Sequence, residues 1–276
     1  MKCFYLISNP YRDEGFRYRD RVAAYLREKG AECLIHEKDA AKPPQTVDCV
    51  VVLGGDGTLL RTVRRYTDLG LSFVGINTGH LGYLTAGDMD QMEDVLDCLL
   101  TDRCIKEDRM MIYARIMRGD RSVARHRALN EIVIGRKECL KIVNLKVYLN
   151  GSYLTEYAAD GLIVATPTGS TAYSFSAGGP IVEPTAQLFL LTPVSSHSMN
   201  NRSLVLSPRS QLSVEIEEKG DSLPGRNEYV VYFDGEKPVQ LLPGDRVEIA
   251  QAGTSVSLIK LSERSFVETM RSKMSV

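Results

Sequence analysis

Hydrophobic and polar positions follow two regimes along this chain. Up to about residue 101, short unbroken apolar runs take turns with apolar stripes spaced three or four residues apart. Runs of that kind predict strands buried on both faces, and the stripes predict amphipathic helices. The runs fall at residues 3–7, 31–36, 49–53 and 72–77. One stripe carries Tyr18, Val22, Tyr25 and Leu26, with Gly30 just past its end. A second covers residues 58–66. A third holds Met89, Met92, Val95, Leu96 and Leu99, with Asp88 and Asp90 placed to cap it. Strands alternating with helices predict a doubly wound α/β domain over residues 1–101.

From residue 102 the helical period fades. Short strand patterns occur at 111–117, 131–135, 145–149, 161–165, 204–206, 212–216, 229–233, 246–250 and 255–261. Asn150-Gly151 and Asp234-Gly235 lie between apolar runs as hairpin turns. A β-rich domain over 102–250 is expected. In the last segment, 251–276, Ser262 is positioned to cap a helix carrying Phe266, Val267 and Met270.

The most informative stretch is Gly54-Gly55-Asp56-Gly57-Thr58, between the run 49–53 and the stripe 58–66. Glycine lets the backbone approach a ligand closely. A helix start offers unpaired N–H groups to an anion such as phosphate. Asp56 would repel that phosphate unless it holds a metal or takes a proton from a nucleophile. The combination suggests phosphoryl transfer, against the plainer reading of a tight strand-to-helix turn. It is not a P-loop, because no Gly-x-x-x-x-Gly-Lys-Ser/Thr occurs, and Leu60 replaces the third glycine of a dinucleotide fingerprint. Arg61 follows the turn and could meet a phosphate. A second glycine loop, Thr78-Gly79-His80-Leu81-Gly82-Tyr83, also follows a predicted strand. In an open α/β sheet both loops belong to the edge where ligands bind.

Composition adds bounds. A chain of 276 residues with 43% apolar and 25% charged content is that of an ordinary globular protein. A formal net charge of −1 gives no global basic field for nucleic acid or an anionic membrane. No apolar run is long enough to span a bilayer, and the N-terminal run is too short for a signal peptide. The expectation is a cytoplasmic protein with neither nucleic acid nor membrane as partner. Six cysteines without Cys-x-x-Cys read as small core residues, and four dispersed histidines argue against a zinc site.

Beyond residue 102 two further segments carry chemistry. Asp160-Gly161 opens an apolar run that ends in Thr166-Pro167-Thr168-Gly169-Ser170-Thr171-Ala172-Tyr173. Hydroxyls and turn N–H groups can bind sugar and carboxamide, and Tyr173 can stack on a base. Asn130-Glu131, ahead of another run, could grip a ribose diol. Either segment alone reads equally as a polar turn.

Together these stretches, with Phe233-Asp234-Gly235, resemble the NAD kinase family over nearly the whole chain. The resemblance implies an N-terminal α/β domain, a C-terminal β-rich domain and a tail, 251–276, returning to the first. It implies transfer of the terminal phosphate of ATP to the 2′-hydroxyl of the adenosine ribose of NAD, giving NADP. Asp56 would be the proton acceptor and Gly57 would lie against the dinucleotide phosphates. Asn130 and Glu131 would hold the nicotinamide-side ribose. Asp160 would reach the other end of the dinucleotide, in the same pocket or from a neighbouring subunit. Thr171, Ala172, Tyr173 and Ser176 would contact the adenosine or nicotinamide portion. Mg²⁺ or another divalent metal would ride mainly on the donor phosphates, and a homodimer or homotetramer is implied. Asn201-Arg202-Ser203 departs from the commoner Asn-Arg-Pro, and His80 stands where many relatives have Asn. The alternatives are a diacylglycerol-type lipid kinase, which shares the glycine-aspartate motif, and a non-catalytic dinucleotide sensor. No apolar acceptor stretch favours the first. The carboxylate of Asp56 beside phosphates disfavours the second.

Overall fold

A computed structural model describes residues 1–37, 42–79, 82–137, 142–197, 201–217, 229–236, 238–261 and 270–271. The chain forms two compact units, Met1–Arg109 with Thr254–Val276, and Met110–Gly253.

The first unit contains, in order, β1 (Cys3–Ser8), α1 (Arg17–Glu28), β2 (Glu32–Ile35), β3 (Cys49–Leu53), α2 (Asp56–Tyr66), β4 (Ser72–Asn77), a two-residue β5 (Gly87–Asp88) and α3 (Met92–Leu100). Then β6 (Ile105–Arg118) begins. The sheet is parallel in the order β2-β1-β3-β4. Alternate residues feed its two faces. Phe4, Leu6, Cys49, Val51, Leu53, Val74 and Ile76 pack under α1 and α3, through Val22, Leu26, Val95, Leu96 and Leu99. Tyr5 points the other way and meets the ring of Tyr66 on α2 edge-on. Helices therefore cover both faces, as the alternation of runs and stripes predicts. The all-buried β3 is the middle of this sheet. The path leaves β1 toward β2 and leaves β3 toward β4, so the order reverses between β1 and β3. The loops after these two strands open on one crevice, the place where doubly wound sheets bind ligands.

Asp88 and Asp90 do not cap α3. The helix starts later, at Met92, with Gln91 at its N-cap. Asp88 instead accepts the backbone N–H groups of Asp90 and Gln91 in a preceding turn. Met89 lies outside the helix yet is buried.

The second unit continues with β7 (Arg121–Ala128), β8 (Glu131–Arg136), β9 (Val143–Leu149), β10 (Ser152–Ala159), β11 (Gly161–Ala165) and a short α4 (Tyr173–Ser176). It is completed by β12 (Phe189–Val194), β13 (Leu204–Leu206), β14 (Leu212–Glu217), β15 (Tyr229–Phe233), β16 (Val239–Leu241) and the first part of β17 (Arg246–Lys260). One antiparallel sheet has the order β13-β12-β11-β8-β15-β16. Against it lies a layer with β10-β9-β14-β17 and the β6–β7 hairpin. Ile112, Ala114, Leu145, Val147, Val214 and Val247 from this layer share one core with Ile132, Ile134, Leu162, Val164, Phe189 and Val231 from the other. Asn150 and Gly151, both at positive φ, close the β9–β10 hairpin. Residues 246–250 and 255–261 are not two strands. β17 runs unbroken from Arg246 to Lys260. Its first part pairs with β14, and its last part pairs parallel to β4 through Ser257 and Leu258 in the first unit. Through these two residues β17 joins the sheet of the α/β domain. Ser262, Phe266 and Val267 lie outside the described residues.

Candidate functional site

In the first unit the site begins at the end of β3. Gly55 is the N-cap of α2, and Asp56 is its first helical residue, with Thr58 and Leu59 N–H groups donating to the Gly55 carbonyl. The Asp56 carboxylate is half-buried and turned toward the second glycine loop. Tyr83 N–H donates to Oδ2 at 2.8 Å, and Leu84 N–H donates to Oδ1 at 3.1 Å. A carboxylate has about four lone-pair directions, so each oxygen keeps one for a ligand. Gly82 makes this approach possible, since a methyl group there would lie 1.9 Å from Asp56 Oδ1. The two glycine loops are thereby tied together at the sheet edge. His80 and Leu81, within the second loop, lie outside the described residues.

Gly57 is exposed at the open face of this turn. Arg61, one helical turn on, donates to Thr58 Oγ1 at 3.3 Å and stays largely exposed. Two contributors come from the loop after β1. Asn9 Nδ2 donates to Thr58 Oγ1 at 2.9 Å. The Arg12 guanidinium lies 3.4 Å from where a side chain on Gly79 would start. Buried Asp13 holds this loop by accepting from Ser8 Oγ and from the Tyr18 and Arg19 N–H groups. The open N–H groups of the helix start and the cations Arg12 and Arg61 suit an anion at this edge.

The second unit carries a separate constellation. Asn130 and Glu131 stand at the start of β8 and are both buried. Asp234, after β15, accepts the backbone N–H groups of Leu129, Asn130 and Glu131 at 2.9, 2.8 and 3.1 Å. Three such bonds fix Leu129, Asn130 and Glu131, a role invisible where Asp234-Gly235 reads only as a hairpin. Opposite, Thr166 follows β11, its N–H donating to the Asn130 carbonyl and its hydroxyl to the Leu129 carbonyl. The turn through Thr168 to Thr171 then leads into α4. Gly169 is pressed on the Asn130 carbonyl, 2.2 Å from where a side chain would begin. The Glu131 carboxylate meets the Tyr173 N–H. Thr171 and Ala172 are half-buried, while Tyr173 and Ser176 are exposed.

The fold therefore brings Asn130, Glu131, Thr171, Ala172, Tyr173 and Ser176 to one end of the β8–β11 pair. Asp160 stands at the other end. Glu131 pairs with Ala165 and Gly135 with Gly161, which separates Asp160 from the cluster by about 17 Å along the strand. Within one chain Asp160 does not join that pocket.

Burial pushes Glu131 up from 4.5 to about 8, helped by the nearby Asp234 charge and opposed by the Tyr173 N–H. Glu131 Oε2 and Asn130 Oδ1 are buried without a hydrogen-bond partner. Buried oxygens left open on two successive residues suit a ligand bearing hydroxyl groups. No cluster of three or more metal-ligating side chains occurs among the described residues. The one carboxylate in the glycine turn suits a divalent cation that arrives on phosphates better than a protein cage.

Comparison with known proteins agrees with this geometry. Residues 36–104 match the ATP-NAD kinase N-terminal domain, and residues 129–261 match the ATP-NAD kinase C-terminal domain. An NAD kinase of Lachnospira eligens is 40% identical, the match covering 99% of this chain and all of the relative. One from Agathobacter rectalis is 41% identical over 99% of both chains. The fold is similar to that of an NAD kinase from Archaeoglobus fulgidus in complex with ATP, with a TM-score of 0.80, 25% identity and both chains fully covered. It is also similar to yeast NADH kinase complexed with NADH, at a TM-score of 0.87 and 23% identity, covering 100% of this chain and 88% of that one. The chain belongs to the ATP-NAD kinase family.

Proposed function

We propose that this protein is an NAD kinase, transferring the terminal phosphoryl group of ATP to the 2′-hydroxyl of the adenosine ribose of NAD. The observation that carries the reading is Asp56: a carboxylate on the anion-binding edge, aimed by two backbone N–H groups and with free lone pairs. A ribose hydroxyl is a weak nucleophile at neutral pH. Asp56 accepts its proton as the new O–P bond forms, a contribution of about 10²–10⁴ in rate. Gly57 and the N–H groups of the turn lie against phosphate, with Arg61 and Arg12 neutralising charge. A divalent cation bound with ATP supplies further charge neutralisation on the donor phosphates. Asn130 and Glu131 accept from the nicotinamide-side ribose hydroxyls. Thr171, Ala172, Tyr173 and Ser176 contact the base or carboxamide portion.

Asp160, remote from that cluster in its own chain, serves a neighbouring copy in a homodimer or homotetramer. The cytoplasm is the proposed location, and no helix among the described residues is long and apolar enough to cross a membrane. Incubation with ATP, Mg²⁺ and NAD should yield NADP. NAD binding without NADP would instead identify a sensor, and phosphorylation of diacylglycerol alone would identify a lipid kinase.

Glu131 supplies a test of the binding half. Its folded value exceeds its unfolded one, so the folded chain binds more protons between about 4.5 and 8. The stability that this group contributes is present below that window and is lost as pH rises through it. Glu131→Gln removes the penalty. At pH 8 its Tm should exceed that of the parent by about 3 °C or more, and the gap should close toward pH 4.5. Above about pH 8, where the parent carboxyl is ionised, its KM for NAD should rise about 10–100-fold, since charge-assisted bonds to the ribose are lost. Thermal melts and initial rates across pH check both.

A further inference from the structure

Lys260, the last residue of β17, lies on the terminal segment that returns to the first unit. Its ammonium donates to three consecutive backbone carbonyls, those of Tyr83, Leu84 and Thr85, at 3.0, 3.1 and 3.1 Å. These are the peptides of the segment whose Tyr83 and Leu84 N–H groups hold Asp56. An ammonium has three donors, and all are used on this one stretch. Consecutive carbonyls converge on one point only when the local backbone is curled, so Lys260 holds a backbone shape as well as a position. We propose that Lys260 is a positioning residue for phosphoryl transfer, aiming the Asp56 carboxylate through the Tyr83–Leu84 backbone. The inference rests on Asp56 as the base.

The remaining charges around Lys260 are Glu107 and Arg109 from β6 and Asp56 from α2, while Tyr83 is the titratable side chain on the clamped segment. Glu107 and Arg109 are paired with each other. Burial, followed by Arg109, pushes Lys260 down from 10.5 to about 8, against Glu107 and Asp56. A neutral amine keeps two donors and turns a lone pair toward the third carbonyl, which loosens the clamp.

The test is a double-mutant cycle read by NADP formation, with kcat and KM separated. Lys260→Met should lower kcat about 10–30-fold and leave KM for NAD within threefold. In the Asp56→Asn background the same substitution should cost less than twofold, because the group it aims is gone. An equal loss in both backgrounds, or a loss confined to KM, would overturn the inference. Near-parental turnover by Asp56→Asn alone is a separate outcome: it removes the base role, and this inference with it.

Should Lys260→Met fail to fold, the parent protein supplies the second arm. Between about 8 and 10.5 the unfolded chain binds more protons at Lys260 than the folded one, so its contribution to stability grows with pH. Turnover should fall over the same range while Tm does not, a divergence that a merely structural lysine would not give. A kcat flat from about pH 7.5 to 9.5 would overturn the proposal.

Discussion

Replacing Asp56 by asparagine is expected to lower kcat for NADP formation about 10²–10⁴-fold, with the dissociation constant for NAD changed less than threefold. The substitution keeps size and shape. It removes the negative charge and half the acceptor capacity, since an amide offers one oxygen and one NH₂. In the parent, Oδ2 and Oδ1 each take one N–H, from Tyr83 and Leu84. In the variant one of those N–H groups faces the amide NH₂, and the remaining oxygen cannot take a proton from a hydroxyl at neutral pH. Binding should survive, because the proposed ribose contacts, Asn130 and Glu131, are held by their own scaffold around Asp234. Initial rates, together with direct titration of NAD, separate the two quantities. A variant turning over within a factor of three of the parent would exclude the base role.

What makes that expectation specific was only partly legible in the sequence. The strand before the turn was readable because β3 is buried along its whole length, which forces an unbroken apolar run. The turn was readable because close backbone approach needs glycine. What holds Asp56 was not, because its partners are backbone N–H groups, which carry no letter of their own. For the same reason Asp234 read as a hairpin residue, although its three acceptor bonds go to backbone N–H groups about a hundred positions earlier. Lys260 gave no signal either, since its three partners are carbonyls.

Several strands escaped notice for physical reasons that differ. β7 is mostly exposed and rich in arginine, so it has no apolar alternation, and backbone pairing to β6 makes it a strand. β12 contains Pro193, a residue that usually demotes a strand. It lies beyond the stretch that β13 pairs, Phe189 to Leu191, and keeps a single strand neighbour, β11. In β10 the register shifts between Tyr153 and Thr155, which interrupts the alternation of faces. The apolar pattern lapses over residues 251–254, where β17 passes straight through.

Gly82→Ala should be nearly as damaging to turnover as loss of the carboxylate, although it adds one methyl group at a site without any charge. That methyl would stand 1.9 Å from Asp56 Oδ1 and 2.4 Å from Cγ, so one side must move. Asp56 cannot retreat with its backbone, because it is the first residue of α2 and the turn before it is locked by the Thr58 and Leu59 N–H groups on the Gly55 carbonyl. The loop cannot retreat either while Lys260 holds the carbonyls of Tyr83, Leu84 and Thr85. The side chain must therefore swing away and give up both N–H contacts. A misplacement of about 1 Å costs on the order of 10² in rate, so kcat should fall about 100-fold. Because Gly82 is only half-buried and the displaced group can reach water, Tm should change by less than about 3 °C. The comparison that decides the matter is Gly82→Ala beside the double variant with Asp56→Asn. The alanine should cost almost nothing once the carboxylate has gone, and a full second loss would mean that Gly82 serves the site by some route other than Asp56.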